Sequence, residues 1–278
     1  MVTAKQFGAN YATTDYQQVL QDTEVDAVII TTRHHLHASM ASAALKAGKH
    51  VLVEKPLALT KAELSDIEAF YTSATDESLP MLLTGFNRRF SLYARRIYEI
   101  IQDRSNPMIL NYRMNAGYIP LDHWVHGEEG GGRNRGEACH IYDLFTYLTG
   151  SKVVTVKAQA IAPITGHYSR SDNFVATMTF ADGSVATLTY TALGSRAYPK
   201  EQMEAFVDGK VLVLNDYKQL IINGSKSKGL GSKVINKGQK EELQAFACAV
   251  AGGEWSIPLW QQAQATEISF AIEEQLKN

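Results

Sequence analysis

A lysine set against a proline at a strand end and a histidine among carboxylates are the residues of this chain best suited to chemistry. Lys55 closes the buried run His50-Val-Leu-Val-Glu-Lys55, and Pro56 after it fixes the backbone and removes a donor. Ligands of open parallel sheets bind at the carboxyl ends of strands, so this ammonium projects into a crevice rather than into open solvent. Position alone also admits an ordinary strand-end lysine. In Gly130-Gly-Gly-Arg-Asn-Arg-Gly-Glu-Ala-Cys-His-Ile-Tyr-Asp143, i, i+3 spacing puts Glu137, His140 and Asp143 on one side of a helix. An imidazole beside carboxylates is a proton acceptor near neutral pH. Glu137 equally completes a capping box with Asn134, and Asp143 equally orients a neighbour. The histidines at 34, 35, 37, 123, 126 and 140 invite a metal reading. However, His123-x-x-His126 lies in a Gly-rich irregular stretch with no carboxylate-rich ligand set, and no metal site is expected.

The elements that must position these groups fall into two halves. Val25–Thr32, His50–Lys55 and Met81–Phe86 read as buried parallel strands, separated by helices over Ala38–Ala47 and from Thr60 to about Thr72. Gly48 stops the first helix, and Thr60 with Glu63 forms a capping box that opens the second. A further helix spans Ser91–Asp103. Residues 1–104 are therefore expected to form a truncated Rossmann-like α/β domain. Residues 105–278 read as α+β, with an extended run Met108–Ala116 and a helix from about Asn134 to Leu148 closed by Gly150. Hairpin signals at Asp182-Gly183, Asp208-Gly209 and Asn223-Gly224 imply an open, mostly antiparallel sheet. Helices near Lys240–Ala251 and Gln261–Leu276 end the chain, and Gly224–Lys233 reads as a mobile loop. A broad sheet with an uncovered face predicts a homodimer or homotetramer.

Composition narrows the classes. The 278 residues are 45% hydrophobic and 20% charged, which excludes disorder and fibrous repeats. A net charge of -2 gives no general attraction for nucleic acid or acidic membranes. No apolar run approaches the roughly 20 residues of a membrane helix, and the first residues hold no secretory signal. Cys139 and Cys248 make no disulfide framework, so a reducing, cytoplasmic setting is expected.

Gly-Lys-His-Val-Leu-Val-Glu-Lys-Pro at 48–56 resembles the Glu-Lys-Pro signature of the Gfo/Idh/MocA (glucose–fructose oxidoreductase / inositol dehydrogenase) family. Thr32-Arg-His-His-Leu-His37, Gly85-Phe-Asn-Arg-Arg-Phe90, the 131–143 segment and the final helix pair are similar in the same order. The resemblance covers essentially the whole chain. It implies an oxidoreductase that uses NAD or NADP on a sugar, polyol or sugar derivative. On that resemblance Lys55 bonds the reacting oxygen and His140 takes the hydroxyl proton. Glu54 and Pro56 shape the nicotinamide side, with the Lys-Pro bond expected to be cis. Thr31, Thr32, His34 and His37 would line the cofactor, with Arg89 assigned to the same region. Arg89, Tyr118, His123, Trp124, Arg133, Arg135 and Asp143 are candidates for substrate contact.

Two departures stand out. Many members carry Asp four residues before the catalytic histidine; here that position is Gly136, so either Glu137 orients His140 or proton handling differs. No Gly-x-Gly-x-x-Gly fingerprint occurs, as though about 50 residues of a βαβ unit were missing. NAD(H) binding by the chain is accordingly expected to be weak. One hypothesis is a piece of a longer enzyme; the other is a non-catalytic sugar-binding or assembly module. The in-frame sequence upstream of Met1 discriminates between them.

Overall fold

Short β-branched and leucine-rich runs build the first sheet. Residues 51–53 and 82–84 are buried as expected. The run 27–30 lies at the sheet edge and leaves Ile29 exposed, so it is not the fully covered strand the sequence implied. The computed structural model describes residues 2–73 and 79–277. Helices α1 (Val2–Gln6) and α2 (Tyr16–Gln21) come first, and the Asp15 carboxylate caps α2 by accepting from the Gln17 N–H at 3.0 Å. Next come β1 (Ala27–Ile30), α3 (His37–Lys46), β2 (His50–Val53), α4 (Lys61–Ser73) and β3 (Leu82–Thr84). The three strands pair in parallel in the order β1–β2–β3. Their register aligns Ile30, Val53 and Thr84, so Thr31, Glu54 and Gly85 leave the sheet side by side. Local signals act as expected. Gly48 takes φ +74°, and Gly48 and Lys49 donate back to Leu45 and Ala44, closing α3 in a Schellman motif. The Thr60 N–H donates to Glu63 Oε2 at 2.9 Å, while Thr60 Oγ1 accepts from the Glu63 N–H at 3.2 Å.

After α5 (Leu92–Ile101), strand β4 (Ile109–Asn115) enters a second sheet. A π-helical turn over Asn134–Ala138 runs straight into α6 (Cys139–Thr149), which Gly150 ends at φ +64°. Strands β5 (Val153–Ala160), β6 (Asn173–Phe180), β7 (Val185–Thr191), β8 (Glu201–Val207), β9 (Lys210–Asn215), β10 (Gln219–Asn223) and β11 (Leu230–Gly231) follow. Helices α7 (Gln239–Val250) and α8 (Leu259–Leu276) complete the chain. The sheet order is β11-β10-β9-β8-β4-β7-β6-β5, antiparallel except for β4 with β7. Strand β11 thus pairs within the segment read as a mobile loop.

Strand alternation sends Leu110, Tyr112, Met178, Leu188, Met203 and Leu212 inward, into one core with α5, α6 and α8. Helix α8 also lends Ala263 and Phe270 to the smaller core around Val51, Val53, Ile67 and Leu82. The opposite face of the large sheet carries threonines and the exposed Ile109, Val175 and Phe206. The hairpin signals divide. Asp208 and Gly209 both have positive φ, as a type I′ turn requires, whereas at 182–183 only Gly183 does. The Asp182 carboxylate is already engaged there by the Ser184 N–H and by Arg104, and the turn closes through Gly183 N–H to Phe180 O at 2.9 Å. Among the described residues no helix is long and apolar enough to cross a membrane.

Candidate active site

Lys55 leaves the sheet immediately past β2, and its peptide bond to Pro56 is cis. The ammonium donates to the Gly136 carbonyl at 2.8 Å, one turn before His140. Gly136 has to lack a side chain: a Cβ there would lie 2.7 Å from Cε1 of His34. The His34 ring is itself fixed, donating through Nδ1 to the Gly130 carbonyl at 2.7 Å and meeting Trp124 edge-on at 4.9 Å. Burial pushes His34 down to about 4, so it is neutral at physiological pH.

His140 is buried on α6, edge-on to Phe86. Burial first, then the charges of Arg88, Lys55, Lys237 and Lys200, hold its imidazole neutral well below the ordinary value. Among the described residues its Nδ1 has no hydrogen-bond partner. A neutral imidazole and an ammonium thus act on one region, a combination able to take a proton from a hydroxyl and to stabilise the resulting oxygen charge.

Glu137 does not orient His140. Its carboxylate accepts from Lys200 at 2.7 Å, Arg133 at 3.0 Å and the Tyr190 hydroxyl at 2.5 Å, and these partners lower it to about 2 despite burial. The wider spacing of the π-helical turn sends it away from the imidazole. Arg89 and Asp143, expected at cofactor and substrate, instead pair with each other in the interior, at 2.9 and 2.5 Å and nearly without exposure. An unpaired charge so deeply buried is untenable, and the pair closes on itself. His37 is fully buried; its Nδ1 lies 2.8 Å from the Pro56 carbonyl and its Nε2 3.0 Å from that of Thr32. It braces the Lys-Pro turn rather than facing a ligand. Arg133 is likewise buried and pins the irregular loop through the carbonyls of Gly117 and Ala116.

The remaining candidates are dispersed. Thr31 and Thr32 are exposed at the end of β1, and Glu54 is half-buried beside Gly85. Tyr118 stacks on His167 at 4.1 Å, His123 caps the Val125 N–H, and Trp124 packs on His34. Arg135 lines a separate cleft of about 690 Å³ with His35, Glu63, His126 and Glu273. Sequence reading missed Arg88, Lys200, Lys237 and Glu201. Arg88 sits in the Asn-Arg-Arg segment and could have been found there; the others come from loops and strand ends with no local signature.

Residues 1–79 match the family described as "Oxidoreductase family, NAD-binding Rossmann fold", and residues 107–213 match the "GFO/IDH/MocA C-terminal domain". The chain belongs to this oxidoreductase family. It is 30% identical over 183 residues to the uncharacterized oxidoreductase YrbE of Bacillus subtilis (strain 168), covering 64% of this chain and 52% of that protein. It is 24% identical over 264 residues to myo-inositol 2-dehydrogenase of Thermotoga maritima, covering 90% and 77%. The chain thus spans about half the length of the first relative. The fold matches levoglucosan dehydrogenase solved with NADH and levoglucosan, at TM-score 0.81 and 22% identity over 99% of this chain and 84% of that one.

Proposed function

We propose that the chain carries the catalytic centre of an oxidoreductase moving hydride between a nicotinamide cofactor and a hydroxyl carbon of a sugar, polyol or related compound. The observation that carries this reading is the Lys55–Gly136 hydrogen bond, which sets an ammonium beside the turn leading to a neutral His140. The names of the inositol and levoglucosan dehydrogenases point the same way. In this reading Lys55 bonds the reacting oxygen and His140 holds the proton given up by the hydroxyl.

The aligned strand ends fit the nicotinamide end of NAD or NADP. The exposed hydroxyls of Thr31 and Thr32 and the carboxylate of Glu54 offer hydrogen-bond partners beside Lys55 and Pro56. When bound, the cofactor supplies the hydride acceptor or donor. Residues 1–278 hold no Gly-x-Gly-x-x-Gly cradle for a pyrophosphate, which supports weak binding by this chain. Calorimetry with NADH giving micromolar affinity would contradict that.

The half-apolar outer face of the large sheet, with Val175 50% and Ile109 52% exposed, supports a homodimer or homotetramer. A monomer at micromolar concentration by analytical ultracentrifugation is the opposing result. Free cysteines, Cys139 buried and Cys248 exposed, support a cytoplasmic setting. The direct test of the main reading is nicotinamide reduction with a panel of polyols, sugars and sugar acids. Activity on one of them, lost in Lys55→Ala and His140→Ala, is expected. Silence across the panel with both cofactors assigns the chain to non-catalytic binding instead.

A further inference from the structure

The charges around His140 do not cancel. Beneath it Glu201, 1% exposed, accepts from Arg88 at 2.8 and 3.1 Å, from the Tyr112 hydroxyl at 2.6 Å and from the Lys237 ammonium. Two cations therefore share one carboxylate. Among the described residues Lys55 meets no carboxylate within ion-pair distance, and its acceptor is the Gly136 carbonyl. The other cations are balanced: Lys200 and Arg133 meet Glu137 and Asp172, and Arg89 meets Asp143. Among the described residues, Glu201 and the nearby Glu54 stand against Arg88, Lys237 and Lys55, while burial beside Glu54 keeps Glu242 protonated. Positive charge is left over around the buried ring whose Nδ1 lacks a partner.

Surplus charge of one sign, partly screened from water, draws ligands of the other sign. A neutral polyol would leave that surplus unmet. Taking the dehydrogenase reading above as its basis, we infer that the substrate bears a carboxylate: a sugar acid or polyol acid whose anionic end sits against Lys237 while its reacting hydroxyl lies between Lys55 and His140. This also meets a chemical need. Burial first, then the surrounding cations, make His140 a reluctant proton acceptor, and a bound carboxylate offsets part of the cations' share.

Isothermal titration of the chain with sodium D-gluconate and sodium D-galacturonate, beside myo-inositol and D-glucose, tests the inference without relying on turnover. At low salt the acids are expected to bind about tenfold tighter or more. That advantage should shrink as sodium chloride is raised from about 20 to about 300 mM. Lys237→Met should remove most of it, because the Arg88–Glu201 pair remains to hold the fold. If that variant does not fold, the salt series on the unaltered chain decides the matter. Neutral compounds binding as tightly as the acids overturn the inference and leave the dehydrogenase reading standing. An acid preference indifferent to both salt and Lys237 also overturns it. No binding of either class overturns inference and reading together.

Discussion

Lys55 and Gly136, 81 positions apart in the chain, are joined by an ammonium-to-carbonyl hydrogen bond of 2.8 Å. The bond ties the carboxyl end of β2 to the turn that launches α6, and so sets a strand-end cation relative to His140. It uses one of the three N–H donors of the lysine, and the others remain for a reacting oxygen. Lys55→Ala removes that donor, and His140→Ala removes the proposed proton acceptor. Each is expected to lower kcat about 100-fold or more in steady-state assays of the cofactor-bound enzyme. Unchanged turnover in either variant takes that residue out of the mechanism.

Gly136 is closely packed at the same contact. A Cβ there would approach Cε1 of His34 to 2.7 Å and Nδ1 to 3.3 Å, and the ring is held by Gly130 and Trp124. Gly136→Ala should therefore destabilise the fold by roughly 1–3 kcal/mol, read as a shift in the denaturant midpoint. Adding His34→Ala opens the space and should restore much of the loss. A single variant as stable as the parent would show that the ring yields freely.

What the sequence discloses about this site follows the range of the forces involved. The Thr60–Glu63 capping box, the Gly48 stop and the strand before Lys55 depend on neighbours a few residues away, and all are legible. Arg89 and His37 are not, because their partners lie 54 and 19 positions off and only packing reveals that they turn inward. Glu137 misleads for a subtler reason. Its i, i+3 spacing to His140 implies a shared side only in a regular α-helix, and the π-helical turn over Asn134–Ala138 alters that phase. Lys200 and Lys237 reach the region from the chain just before β8 and α7, through ion pairs with Glu137 and Glu201 that no local pattern encodes.

The Arg89–Asp143 pair is closed on itself in the interior, which lets stability be separated from kinetics. Asp143→Ala leaves a guanidinium uncompensated in the interior, with Gln261 as its remaining side-chain partner, and should cost about 3–5 kcal/mol. Replacing both, Arg89→Met with Asp143→Leu, removes the stranded charge and should recover most of that stability in urea unfolding. KM for whichever substrate the panel identifies should stay near that of the parent in the double variant. A large rise in KM with stability intact would return Asp143 to the substrate site.

Glu242, in the first turn of α7, is 5% exposed, and its Oε1 finds no partner among the described residues. Burial, aided by the carboxylates of Glu54 and Asp143, pushes it up to about 8 from an ordinary 4.5. The folded chain therefore keeps a proton that the unfolded chain has released, so stability falls as pH rises from about 4.5 to about 8 and then levels off. His34 and His140, held neutral in the fold, give the opposite slope, but chiefly below their ordinary 6.5. The window above that value isolates Glu242. Glu242→Gln keeps the shape without the ionisation, and should exceed the parent by roughly 2–5 kcal/mol at about pH 9 and by less at about pH 6.5. Denaturant unfolding of both proteins at the two pH values measures this. A parent equally stable at both would mean that a cation neutralises Glu242 after all.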